Sequence, residues 1–282
     1  MDRYMNIKEK LLTLAKQNEN IKAIVLIGSS TRDTVKADEY SDLDVIIATE
    51  LSERWIYGDY PEKLGDVKMS FVEPTLGGGK ERRVLYDGSL DVDFIIFTPS
   101  QFMKAIKEGV AGWVMNRGYE VMYDSEGYSA LLEKNVPHEI NYMDLSESEF
   151  DNMVNDFFFH TVWAAKKILR GELWTAKMCI DSYLKNYLLK IIEMYSVLKH
   201  HVDVWHNGRF LERWAEKEVL MDLEKCFAHY DKDDMVSALF STEDLFGKLA
   251  SQTAEMKGYK YPKEAENYAK LLLSGYMDKI KG

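Results

Sequence analysis

The sequence predicts an α+β fold in two domains: a mixed sheet with flanking helices over residues 1–137, followed by an all-α helical bundle over residues 138–282. Three observations support this. Short β-rich runs alternate with polar and helix-period segments as far as Tyr123. Two of those runs, SDLDVIIA at 41–48 and LDVDFIIF at 90–97, open on aspartates spaced i, i+2 and continue as unbroken apolar stretches, the pattern of strands buried on both faces. After Pro137 no β-rich run of any length recurs, and apolar residues return at helical spacing.

In chain order, residues 3–18 place Met5, Leu11, Leu12, Leu14 and Ala15 at helical spacing with Lys and Glu between them, which predicts an amphipathic first helix. Residues 21–27 form a β-rich run that stops at Gly28. Gly28-Ser29-Ser30 is therefore a strand-to-turn junction whose small residues and free N–H groups suit a phosphate, although Gly-Ser taken alone is more often an ordinary tight turn. A polar stretch, 31–40, leads to the second strand at 41–48.

Residues 67–73 and 82–86 predict two further strands joined by a flexible hairpin loop. Gly77-Gly78-Gly79-Lys80 within that loop is not a Walker A motif, because Pro74 stands where Gly is required and Glu81 replaces the Ser or Thr. A helix at 100–110 and a short strand at 118–123 follow, and Asp124-Ser125-Glu126-Gly127 is a turn.

In the second half, Ser146 with Glu149 makes a capping box and Gly171 closes the helix it starts. Further helices are predicted at 173–199, 208–229, 234–257 and 263–279, the last with Pro262 in its first turn. Trp163, Trp174, Tyr183, Tyr187 and Trp214 recur at helical spacing and are assigned to the bundle core. His200-His201 is assigned to a solvated helix end.

Composition bounds the partners. With 46% apolar and 29% charged residues, 17 Gly and 5 Pro in 282 residues, the chain has the profile of a globular protein with a full core. Its formal net charge is −11, with acidic excess in both halves, so no basic domain exists to neutralise a phosphate backbone and nucleic acid is not expected as a partner. An acidic surface favours encounter with a cationic small molecule. Cys179 and Cys226 form no C-x-x-C pair, the start MDRYMNIKEK lacks the apolar stretch of a signal peptide, and no apolar run approaches ~18 residues. A cytoplasmic protein that does not enter a membrane is expected, and the oligomeric state is not legible.

The chemistry is concentrated in the aspartate pairs. On an extended strand Asp42 and Asp44 point to one face, while Leu43, Val45 and Ile47 point to the other and Ile46 continues the carboxylate face as it becomes buried. Such carboxylates repel each other unless a cation lies between them. Mg²⁺ takes one or two carboxylates together with substrate phosphates, which points to nucleotide chemistry. An EF-hand is excluded, because the run enters Val45-Ile46-Ile47 where the calcium loop needs Gly. Asp91 and Asp93 repeat the arrangement, and laid beside the first strand they bring a third acidic ligand to the same ion.

GSS followed by SDLDVII and LDVDFIIF resembles the nucleotidyltransferase superfamily that includes DNA polymerase β, and across most of the chain the sequence is similar to the aminoglycoside 6-adenylyltransferases that modify streptomycin. Supporting stretches are RGYEVMYDSEG at 117–127, FFFHTVWAAKKILRGEL at 157–173, NGRFLERW at 207–214 and GYKYPKEAENY at 258–268. The resemblance implies a polymerase-β-like nucleotidyltransferase domain followed by a helical substrate- and nucleotide-binding domain. It implies AMP transfer from ATP to an aminoglycoside hydroxyl with release of pyrophosphate.

By the same resemblance, Gly28 and Ser29 hold the phosphates, with Arg32 nearby. Asp42, Asp44 and Asp93 bind Mg²⁺, Asp91 is a general base or a contact for substrate amines, and Asn207 and Arg209 face the nucleotide. Two positions depart from the family pattern: Ser30 stands where Arg usually follows Gly-Ser, with Arg32 two places on, and His206 stands where Lys precedes the Asn. Another acceptor, such as a lincosamide, a protein side chain or another hydroxylated amine, or a catalytically inactive nucleotide-binding relative, is compatible with the same residues.

Overall fold

A computed structural model describes residues 2–32, 34–75, 78–137, 142 and 144–281. The chain divides into two compact units, Met1–Asn141 and Tyr142–Gly282.

The first unit is built on a six-stranded mixed sheet. Its strands are β1 (Ile21–Ile27), β2 (Leu43–Thr49), β3 (Val67–Pro74), β4 (Lys80–Tyr86), β5 (Leu90–Phe97) and β6 (Glu120–Asp124), in the order β3-β4-β5-β2-β1-β6. β2 and β5 are parallel, and the other neighbours are antiparallel. The central strands β1, β2 and β5 are buried on both faces, which is why they are nearly continuous runs of Ile, Val, Leu and Phe.

Side-chain alternation sends residues to two cores. Leu43, Val45, Ile47, Val92, Phe94 and Ile96 join Ile7, Leu11 and Trp55, from the side of helices α1 (Met5–Gln17), α2 (Ser52–Ile56) and α3 (Tyr60–Leu64). Ile46, Ala48 and Phe97 join Phe102, Ile106, Met115, Tyr128 and Leu132, from α4 (Pro99–Lys107), α5 (Val110–Met115) and α6 (Tyr128–Asn135). The expectation that Ile46 continues the carboxylate face into a core is therefore met. The carboxylates of β2 and β5 lie at the open end of this second face.

Four helices of this unit, α2, α3, α5 and α6, are absent from the sequence prediction. α2 and α3 span five residues each, too short to show a 3.6-residue period. α6 grows out of the segment assigned to a turn: the Asp124 carboxylate accepts from the backbone N–H groups of Glu126, Gly127, Tyr128 and Ser129, so the turn is the cap of a helix. In the hairpin loop, Leu76 and Gly77 lie outside the described residues, and Lys80 is already in β4 with its ammonium donating to the Tyr57 hydroxyl at 3.0 Å.

The second unit is helical. α7 (Glu147–Leu169) starts on the predicted capping box, with Ser146 and Glu149 bonded reciprocally, and ends before Gly171 at φ +75°. The helix predicted at 173–199 is two helices, α8 (Leu173–Met178) and α9 (Leu184–His200), joined by a π-helical turn at Cys179–Tyr183. The span 208–229 resolves into α10 (Leu211–Trp214) and α11 (Lys217–Glu224), interrupted where Ala215 is extended. α12 (Lys232–Lys257), capped by Asp231, and α13 (Lys263–Lys281) complete it.

The core of this unit is phenylalanine-rich: Phe157 stacks on Phe246 at 3.6 Å and meets Phe158 edge-on. The assignment of the recurring aromatics to this core holds for Trp214 and fails for Trp174 and Tyr183, which are 69% and 37% exposed. Helical spacing places residues on one stripe without saying which neighbour covers it. No helix among the described residues is long and apolar enough to cross a membrane.

Candidate active site

The register of the sheet assembles the site. In the antiparallel β1–β2 pair Ile27 lies opposite Asp44, in the parallel β2–β5 pair Asp44 lies opposite Asp93, and in the antiparallel β4–β5 pair Arg83 lies opposite Asp93. Asp42 stands just before β2, one period of alternation from Asp44. Carboxylate oxygens of Asp42, Asp44 and Asp93 consequently lie within 4.8 Å of one another.

Immediately after β1 the chain turns through a 3₁₀ segment, Gly28–Thr31, directly beside this triad. Gly28 has φ +74°, and a Cβ added to it would sit 1.9 Å from Asp44 Oδ2. No other residue fits there without moving the carboxylate. The turn is pinned on its far side by the Thr31 hydroxyl, which donates to the carbonyls of Gly28 (3.2 Å) and Gly118 (3.0 Å). Ser29 Oγ donates to the Asp42 carbonyl at 3.5 Å, and Ser30 Oγ to that of Ile27 at 3.3 Å.

Electrostatics make the triad a candidate cation site. Burial, then the charges of Asp42 and Asp93, push the Asp44 carboxyl up to about 7, against the opposing pull of the Arg32 guanidinium. Burial raises the Asp93 carboxyl as well, and Arg83 offsets this. Asp93 is 1% exposed. Arg83 directs both Nε (2.9 Å) and Nη2 to Asp93 Oδ2, and the buried Oδ1 has no hydrogen-bond partner. An orphaned buried carboxylate oxygen, two neighbouring carboxylates and raised proton affinities fit a group that carries positive charge. The donor set is all hard oxygen and fits a hard divalent cation.

The other site residues identified from the sequence fall into two groups. Asp91 opens β5 on the same face as Asp93 and is exposed; burial and the Asp42 charge raise its carboxyl. Arg32 ends the 3₁₀ turn, and its charge acts on Asp44. Asn207 and Arg209 belong to the second unit. Asn207 is in the left-handed conformation at φ 56°, ψ 30°, and the Arg209 carbonyl accepts from Trp214 Nε1 at 2.8 Å. The His206 side chain lies outside the described residues.

Two residues of the site were not identified from the sequence. Arg83 and Glu81 share the carboxylate face of the sheet, and Glu81 Oε1 lies 3.0 Å from Arg83 Nε. Burial, then the Asp93 charge, raises the Glu81 carboxyl. Their signal was the alternation Glu81, Arg83, Leu85 along β4, which becomes informative only once the register with β5 is known.

Residues 1–274 match the family described as streptomycin adenylyltransferase. The chain is 21% identical over 272 residues to an aminoglycoside 6-adenylyltransferase of Bacillus subtilis, covering 92% of this chain and 93% of that one. It is 22% identical over 291 residues to an aminoglycoside 6-adenylyltransferase of Staphylococcus aureus, covering 96% and 99%. Among solved structures, an aminoglycoside 6-adenyltransferase from Bacillus subtilis superposes with a TM-score of 0.47 at 17% identity, covering 97% of each chain.

Proposed function

The chain belongs to the streptomycin adenylyltransferase family and is a nucleotidyltransferase, and from that premise we propose that it transfers AMP from Mg²⁺-ATP to a hydroxyl of a streptomycin-like aminoglycoside, with pyrophosphate leaving. The convergence of Asp42, Asp44 and Asp93 beside the Gly28 turn is the observation that supports this reading most directly.

In this proposal residues 1–137 form the catalytic domain and residues 138–282 add nucleotide and substrate contacts. Asp42, Asp44 and Asp93 hold Mg²⁺, which when bound supplies Lewis-acid neutralisation of charge on the triphosphate. The Gly28-Ser29 turn receives the phosphates on its backbone, since without a side chain at Gly28 the nucleotide approaches the main chain directly. Arg32 adds a positive charge to that side, and Asn207 and Arg209 are candidate nucleotide contacts on the strength of the family resemblance.

Asp91 takes the proton of the attacking hydroxyl. It lies on the triad's face, and partial burial, then the Asp42 charge, raise its carboxyl and make it a better base than a solvated aspartate. Arg83 positions Asp93 by occupying Oδ2, and Asp93 would join Asp42 and Asp44 in holding the cation. Most of the catalytic contribution is orientation and charge stabilisation, as phosphoryl-type transfers require. ATP supply places the reaction in the cytoplasm.

The test is pyrophosphate release with ATP, Mg²⁺ and a panel of aminoglycosides, with mass spectrometry of the acceptor. An AMP adduct on streptomycin is expected, and its loss in Asp44→Ala. Absence of any adduct across the panel refutes the acceptor assignment; an adduct on a lincosamide or another hydroxylated amine would redirect it within the same enzyme class.

A further inference from the structure

Outside the carboxylate triad, the second unit holds one carboxylate surrounded by aromatic rings. Asp156 and His160 are i, i+4 neighbours on α7, and Tyr183 and Tyr187 are i, i+4 neighbours spanning the end of the π-helical turn and the first turn of α9. Both tyrosine hydroxyls donate to the Asp156 carboxylate, Tyr183 at 2.9 and 3.1 Å to its two oxygens and Tyr187 at 2.8 Å. His160 Nδ1 lies 2.6 Å from Asp156 Oδ1.

The rings are mutually packed. His160 lies 4.3 Å from Tyr183, Tyr183 lies 5.3 Å from Tyr187, and Phe159 and Trp163 flank His160 at 5.3 and 6.2 Å. This cluster is open to solvent: the Asp156 and His160 side chains are 27% and 28% exposed, and Phe159 is 66% exposed. A solvated helix face carries polar side chains, and a core cluster is covered; exposed, packed rings around a fixed carboxylate are neither.

We propose that Asp156, His160, Tyr183 and Tyr187 form a subsite for a cationic amino or guanidino group of the acceptor. The proposal rests on the aminoglycoside reading above. A carboxylate framed by electron-rich ring faces attracts an organic cation by charge and by cation–π contact, and it repels phosphate. The rings at its margin already take such a charge, since the Lys167 ammonium lies 5.0 Å over Trp163.

The site is pre-organised. Tyr183 bonds both carboxylate oxygens, Tyr187 one and His160 the other, so a ligand cation meets a fixed carboxylate alongside these bonds, over the ring faces. Burial, and the bonds to Asp156, raise both tyrosine hydroxyls, so they stay protonated as donors and hold the carboxylate in place. A metal is a poor fit, because a single carboxylate is present; among the described residues the grouping with metal-ligand spacing is the triad of the first unit. A π-helical turn delivering one of the rings is a feature that recurs at functional sites.

The experiment measures streptomycin binding calorimetrically and the KM for streptomycin in full-length wild type, Asp156→Asn, Asp156→Glu and Tyr187→Phe, with ATP affinity and far-UV circular dichroism as controls for folding. Loss of one charge-assisted contact with its ring contacts predicts a weakening of about 10- to 100-fold in Asp156→Asn. A smaller loss is expected in Tyr187→Phe, with partial retention in Asp156→Glu. Wild-type affinity in both Asp156→Asn and Tyr187→Phe would overturn the subsite while leaving the acceptor assignment standing. If wild type itself neither binds nor modifies streptomycin or other aminoglycosides, the acceptor assignment fails and the subsite fails with it.

Discussion

Replacing Gly28 by alanine tests whether the close approach of the turn to Asp44 governs the site. The added Cβ would lie 1.9 Å from Asp44 Oδ2, against an ordinary contact of at least 3.4 Å, so the carboxylate must retreat by about 1.5 Å or the turn must move by as much. A displacement near 1 Å in a reacting constellation costs on the order of 100-fold in rate, and a misplaced metal ligand adds to it, so pyrophosphate release should fall by about 10²–10³.

Alanine at φ +74° also carries a backbone cost of about 1–2 kcal/mol, which would lower stability without any effect on the site. Gly88→Ala separates the two effects, because Gly88 has φ +75° with nothing within 4 Å of an added Cβ. Gly28→Ala should unfold at a lower temperature than Gly88→Ala, because the clash with Asp44 adds to the shared backbone cost, while Gly88→Ala keeps its turnover and Gly28→Ala loses both turnover and Mg²⁺ affinity. The assays are steady-state pyrophosphate release, Mg²⁺ titration and thermal denaturation. If Gly28→Ala remains within about tenfold of wild type, the inference that glycine is needed to seat Asp44 is refuted.

Other expected outcomes follow from the same electrostatics. Asp44 has a folded pKa of about 7 against 3.8 for the free side chain, so without metal its ionisation costs nothing below pH 3.8 and its full amount above pH 7. Asp44→Asn should therefore abolish turnover yet stabilise the metal-free protein at pH 8 by about 2–4 kcal/mol, measured by denaturant titration; unchanged stability would contradict the burial of that charge. Because a bound divalent ion needs Asp44 ionised, the apparent Mg²⁺ affinity of wild type should weaken by up to about tenfold per pH unit below 7. In the second unit, burial pushes the 1%-exposed Glu243 up to about 7 from 4.5, so Glu243→Gln should add about 3 kcal/mol at pH 8 and nothing at pH 4. Arg83→Gln should lower turnover by about 10- to 100-fold and raise the Mg²⁺ requirement, with Arg83→Lys partly restoring both; an unaltered Mg²⁺ midpoint would rule out its role in placing Asp93.

Local signals in the sequence determined a large share of this protein. The apolar continuations of 21–27, 41–48 and 90–97 marked strands covered on both faces, because such strands need no alternation. The Asp42 and Asp44 spacing fixed their shared face, since period two is a property of the extended chain itself. Ser146 with Glu149 marked a helix start because a capping box is closed by neighbours three residues apart. In each case the determining interaction lies within a few residues along the chain.

Strand register, helix interruptions and side-chain cover were decided by tertiary structure. That Asp44, Asp93 and Arg83 lie opposite one another depends on a parallel and an antiparallel pairing between residues about fifty and ten apart, and a one-residue slip would turn every one of these side chains to the other face. The five-residue helices α2 and α3 and the cap that turns Asp124–Gly127 into a helix start are stabilised by packing and by hydrogen bonds that no periodicity announces. Trp174 and Tyr183 have the same helical spacing as core residues and yet face solvent, because which stripe of a helix is buried depends on the surface that packs against it, and that surface is set by contacts remote in the chain.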